Sequence, residues 1–152
     1  MSARPTRASS ASARARASAS GWLGDRLARA VLASDTTASD TAARVGTLRT
    51  IAKLSLFRGR YEESLAYAQQ ALAAARRLGA PQVLMLALNE MGSALNTLGR
   101  IDEALVHQEE ALAIARTLGE GELMATFLNS LAESRRSAGD LDAAERCYRE
   151  AL

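Results

Sequence analysis

Five glycines fall on a beat of 40 residues: Gly59, Gly99 and Gly139 form one series, Gly79 and Gly119 another. The text between them recurs in the same phase. GRYEESLAYAQQALAAARRLG is followed by GRIDEALVHQEEALAIARTLG and then by GDLDAAERCYREAL. Upstream of the later glycines stand LALNEMGSALNTLG and TFLNSLAESRRSAG, which align Leu88 with Leu128 and Asn89 with Asn129. A fixed period of this length marks stacked supersecondary units, none of which can bury its apolar face alone.

Each unit carries two helical patterns. Ile101, Ala104, Leu105, Ala111, Leu112, Ala115 and Leu118 recur at 3/4 spacing, one apolar stripe of an amphipathic helix. Tyr61, Leu65, Ala68, Ala71, Leu72, Ala75 and Leu78 repeat it, and Leu141, Ala144, Tyr148, Ala151 and Leu152 begin it again. Acids at helix starts (Glu62, Glu63, Asp102, Glu103, Asp140, Asp142) and arginines at helix ends (Arg76, Arg77, Arg116) complement the helix dipole. Gly79 and Gly119 suit left-handed caps, Pro81 suits the first helical turn, and Gly59, Gly99 and Gly139 suit tight turns inside each unit. The spacing predicts helices over about 41–58 and 61–78, 82–98 and 101–118, and 122–138 and 141–152. A leading helix is expected over about 22–33, carrying Trp22, Leu23, Leu27, Ala30 and Val31, followed by a loop to residue 40 with Asp40 or Thr41 as cap.

Composition then narrows the chemistry. The chain has one histidine and one cysteine, which excludes a His-pair metal site and an internal disulfide framework. Apolar residues make up 48% but aromatics only 4%, so Ala and Leu must fill the core. No apolar run reaches the roughly 18 residues of a membrane-spanning helix. Residues 1–20 hold Arg4, Arg7, Arg14 and Arg16 and no acid, which leaves 15 basic residues against 17 acidic ones in the remainder. The basic pI therefore belongs to the N-terminus, and nucleic-acid binding by the body is not indicated. This Ser/Ala/Arg-rich stretch cannot bury enough surface to offset the entropy of ordering it, and disorder is expected over 1–20. It also matches a transit peptide in composition; a flexible leader and compositional drift are the competing readings.

The body resembles the tetratricopeptide repeat (TPR) family. The family pattern is carried by Leu88, Met91, Gly92, Leu95, Gly99, Ile101, Ala104, Ala111 and Leu112 in the second unit. In the third it is carried by Leu128, Leu131, Ala132, Gly139, Leu141, Ala144, Tyr148, Ala151 and Leu152. The first unit is poorer, with Leu48, Ile51, Ala52, Gly59, Tyr61, Ala71 and Leu72. The late aromatic is replaced by Ala68 and Gln108, and the period is 40 rather than about 34. The resemblance implies an all-α, right-handed solenoid of stacked helix–turn–helix repeats, with units at about 41–80, 81–120 and 121–152. The last unit looks incomplete, so a piece of a longer array is expected, able to self-associate through a blunt C-terminal end; a frayed helix end is the alternative.

The resemblance also implies that the first helix of each unit lines a concave groove. Residues at i, i+4 and i+7 share a helix face. They are Arg49, Lys53 and Leu56, then Asn89, Ser93 and Asn96, then Asn129, Glu133 and Arg136. By resemblance, family members contact peptides from these places. An asparagine both donates to and accepts from a peptide backbone, and Arg49 and Lys53 suit a carboxylate. The leading expectation is a non-catalytic scaffold for protein–protein interaction, binding a peptide or partner domain in the groove. The alternative, implied by similar lengthened arrays, is a regulatory or sensor segment of a larger signalling protein, such as an ATPase-type transcriptional regulator or a Ser/Thr kinase. An enzyme is not expected: His107 reads as a solvated histidine among acids, Cys147 lacks a paired base, and Gly119–Glu120–Gly121 opens no phosphate-binding motif. No cofactor, metal or membrane contact is expected, and the inferred location is cytoplasmic.

Overall fold

A computed structural model describes residues 41–152, together with Arg26 and Ala30, both helical. The expected tail (1–20) and most of the expected leading helix (22–33) lie outside the described residues. Residues 41–152 form six helices and no strand: α1 (Ala42–Phe57), α2 (Tyr61–Leu78), α3 (Pro81–Thr97), α4 (Ile101–Leu118), α5 (Gly121–Ser137) and α6 (Leu141–Glu150).

The ends follow from local chemistry. Thr41 caps α1, its hydroxyl accepting from the Arg44 amide at 3.2 Å. Asp140 caps α6 by accepting from the Ala143 amide at 3.1 Å. Pro81 opens α3, where its missing N–H leaves nothing unpaired. The three turns inside the hairpins are copies of one another. In each, an amide just past the turn reaches back to a carbonyl in the last turn of the preceding helix. Arg60 donates to Ser55 at 2.9 Å, Arg100 to Leu95 at 3.0 Å and Asp140 to Arg135 at 3.0 Å. The glycine before each of these amides has positive φ, +72° at Gly59 and +76° at Gly99, a conformation that a Cβ disfavours.

Equivalent positions fill the core. Leu48, Leu88 and Leu128 are buried, as are Ile51, Met91 and Leu131, and Ala52, Gly92 and Ala132. On the second helices Ala71 and Ala111, Leu72 and Leu112, and Ala75 and Ala115 do the same. The small side chains let the helices of a hairpin approach closely. A Cβ on Gly92 would stand 2.5 Å from Cγ of Gln108 and 3.1 Å from the Ala104 carbonyl oxygen.

The helices fall into two layers. α1 packs on α3 and α3 on α5, whereas α2, α4 and α6 make no backbone approach to one another. Long side chains bridge the outer layer instead: Arg76 pairs with Glu110 at 4.0 Å, and Arg116 pairs with Glu150 one repeat later. The inner layer is therefore the tighter one. The result is an open all-α solenoid that presents the inner faces of α1, α3 and α5 along one side.

Candidate partner-binding groove

The inner face takes its residues from α1, α3 and α5. α1 supplies Arg49 and Lys53, one turn apart. Both point at Glu90 on α3: Lys53 Nζ lies 3.0 Å from Glu90 Oε1, and an Arg49 terminal nitrogen lies 3.7 Å from the same oxygen. Glu90 is only 8% exposed. It was not among the residues expected at the groove. The sequence does carry a signal for it, because Glu90 is the sole charged residue of α3.

α3 supplies Asn89, Ser93 and Asn96. Asn89 is 6% exposed and its Oδ1 is buried with no hydrogen-bond partner; the Oδ1 of Asn96 is in the same condition. Ser93 turns back on its own helix and donates to the Asn89 carbonyl at 3.1 Å. A buried acceptor without a donor costs about 1–3 kcal/mol, so these two oxygens are held at a cost to the fold.

α5 places Asn129, Glu133 and Arg136 in the open. Glu133 is already engaged: it accepts from the Tyr148 hydroxyl and pairs with Arg136 at 2.5 Å. The Tyr148 hydrogen bond, and after it the Arg136 guanidinium, hold the Glu133 carboxyl below the usual carboxylate range. The same bond pushes the Tyr148 phenol up.

Two groups on α4 lie deeper than their polar character suggests. Gln108 is 1% exposed, lies against Gly92 and leaves Oε1 buried without a partner. His107, expected in solvent, is half-buried, and its Nδ1 is buried without a partner. Burial, and then the Arg76 charge, lower its pKa; Glu110 and Glu103 oppose the shift. Between that lowered pKa and the ordinary value near 6.5, the unfolded chain binds a proton that the folded chain refuses. Stability is therefore expected to fall as pH drops through this window, and His107→Gln should flatten the slope. An NMR titration of the single imidazole checks it: a midpoint at or above the ordinary value contradicts the burial argument.

Burial also pushes the Cys147 thiol up, away from the reactive thiolate. Among the described residues, no group of three or more His, Cys, Asp or Glu could hold a metal ion, and no helix is long and apolar enough to cross a membrane. An open apolar cleft is lined by Pro81, Glu110, Ala113, Ile114, Thr117 and Leu118, none of them among the expected groove residues.

Known proteins share both the sequence pattern and the fold. Two models of the tetratricopeptide repeat match the chain, one over residues 45–78 and one over residues 82–152. No curated protein matches it. Among solved structures, the TPR domain of Arabidopsis FLU is 22% identical with a TM-score of 0.64, covering 70% of this chain and 90% of that one. BtubC (BKLC) from P. vanneervenii is 26% identical with a TM-score of 0.64, covering 88% of this chain and 53% of that one. Rap protein, in complex with Competence and Sporulation Factor, is 22% identical with a TM-score of 0.70, covering 77% of this chain and 33% of that one. The chain thus spans about half the length of BtubC and a third of Rap. The 40-residue beat, the paired helices, the open stack and both sequence matches agree: the chain belongs to the tetratricopeptide repeat family.

Proposed function

We propose that the inner face of α1, α3 and α5 binds an extended peptide or a partner domain, and that the chain serves as a non-catalytic scaffold for protein–protein interaction. The observation that carries this reading is the pair of buried, unpartnered amide oxygens of Asn89 and Asn96, which share one face of the central inner helix. A folded chain tolerates such groups at a cost, and a bound peptide backbone supplies N–H donors to either amide once its side chain turns outward. Arg49 and Lys53 at one end and Asn129 at the other extend the same face. Family membership supports a protein-interaction module, and Rap, which shares the fold, was crystallised with a bound factor.

The test is a variant combining Asn89→Ala, Asn129→Ala and Arg49→Ala, checked for a cooperative melt and titrated with a partner first recovered from native lysate. Lost hydrogen bonds of about 1 kcal/mol each predict weakening of roughly tenfold or more. Binding as tight as wild type would remove the groove assignment.

A further inference from the structure

The first hairpin turn differs from the other two. It runs Phe57, Arg58, Gly59, Arg60, Tyr61, where the later turns run Thr97, Leu98, Gly99, Arg100, Ile101 and Ser137, Ala138, Gly139, Asp140, Leu141. All three share one backbone hydrogen bond and a positive-φ glycine, so the turn itself accepts a small polar residue where Phe57 stands. The chain has two phenylalanines. Phe127 fills the core, whereas Phe57 is 86% exposed at the end of α1. Leu54, one turn earlier on the same helix face, and Tyr61 at the start of α2 are exposed as well.

Beside this knob lies a hollow. It is an open recess of about 460 Å³ with mostly apolar walls, lined by Gly59, Arg60, Tyr61, Glu62, Glu63 and Leu98. Phe57 is not one of its walls, and the recess has room for a benzyl side chain. Charge is divided in the same way. Arg58 flanks the knob, and Glu62 and Glu63 rim the hollow. Glu63 is paired with Arg60 at 3.1 Å, which leaves the exposed Glu62 as the acidic side of the rim. A surface with a projection and a recess, flanked by opposite charges, is complementary to itself. In a twofold contact, each feature of one copy meets its counterpart on the other.

We propose that two copies of this chain pair across the first hairpin turn. Each inserts Phe57 into the other's hollow, against Tyr61 and Leu98, and each Arg58 faces Glu62 of the other copy. Burying the two rings supplies the affinity, and the charges set the orientation. The contact uses the turns and leaves the inner face of α1, α3 and α5 open, so it goes beyond the groove reading and does not rest on it. The patch is smaller than a standard interface, and a dissociation constant on the order of 0.1 mM is expected.

Sedimentation equilibrium of the full chain, loaded between about 10 μM and 1 mM, should show a monomer–dimer equilibrium. Phe57→Ser changes a solvated position, should melt like the wild type and should weaken the dimer at least tenfold. Leu141→Ser, at the place equivalent to Tyr61 in the third repeat, should leave it unchanged. Arg58→Glu and Glu62→Arg each put like charges opposite one another, and each alone should weaken the dimer about tenfold at low salt. Mixed together, the two variants meet with opposite charges at both contacts and should recover the wild-type affinity to within about twofold. Isotope-filtered NOEs from the Phe57 ring of one copy to the Leu98 methyls of another give a readout that needs no substitution. A monomer at every concentration overturns the proposal. So does a dimer that Phe57→Ser leaves intact, or a mixture no tighter than its components. None of these outcomes touches the groove reading, which is decided by partner binding to the inner-face variant.

Discussion

Phe127→Ala is expected to destabilise the array by about 3–5 kcal/mol, the usual range for emptying a fully buried aromatic site. Phe127 is 1% exposed and heads the fully buried side chains by volume. It lies on α5, which packs against α3, α4 and α6 at once, so no single neighbour can collapse into the space. The equivalent place in the second repeat is Ala87, fully buried, which shows that the third repeat is built around the larger group. A domain of this size has only about 5–15 kcal/mol in total, so the midpoint of a thermal melt followed by circular dichroism should fall by roughly 10 °C or more. Leu141→Ala is the control. Leu141 is 65% exposed, and its loss should stay within about 0.5 kcal/mol. Equal effects of the two substitutions would contradict the assigned core.

Gly92→Val should cost about 1–2 kcal/mol, from the opposite cause. Replacing a mid-helix glycine ordinarily gains up to about 1 kcal/mol in backbone entropy. Here the new Cβ would meet Gln108 Cγ at 2.5 Å and the Ala104 carbonyl oxygen at 3.1 Å, and overpacking of about 1–3 kcal/mol or more outweighs the gain. Denaturant melts of a paired variant test the mechanism. In the first repeat the two places are Ala52 and Ala68, so Gly92→Ala combined with Gln108→Ala recreates a pair that the chain already uses. That double variant should be more stable than Gly92→Ala alone. If it is not, the contact with Gln108 does not explain why glycine stands there.

Much of the fold is legible in the sequence because its determinants are local. The 40-residue beat, the glycines at the turns, the acids at helix starts and Pro81 all act within one helix or one turn. Periodicity also identifies which residues share a helix face. It does not say how deeply that face lies within the stack. Asn89 and Asn129 hold the same place in successive repeats, yet Asn89 is buried and Asn129 is exposed. The difference comes from their neighbours along the array, which a single repeat does not encode. The sequence marks Glu90 as the sole charge of its helix but not its pairing, which depends on α1, one repeat upstream. His107 looks like a surface polar residue in an amphipathic pattern, whereas Gln108 takes the place of the family's late aromatic and packs inward against Gly92 of α3.

An open stack, in which an inner helix meets no inner helix beyond its immediate neighbours, is what gives the chain an inner face at all. Methyl–methyl NOEs measure this. Contacts are predicted between α1 and α3 and between α3 and α5, with none linking α1 to α5 or α6. A set of NOEs joining α1 to α6 would mean a closed bundle with no groove to offer, and would contradict the open stack.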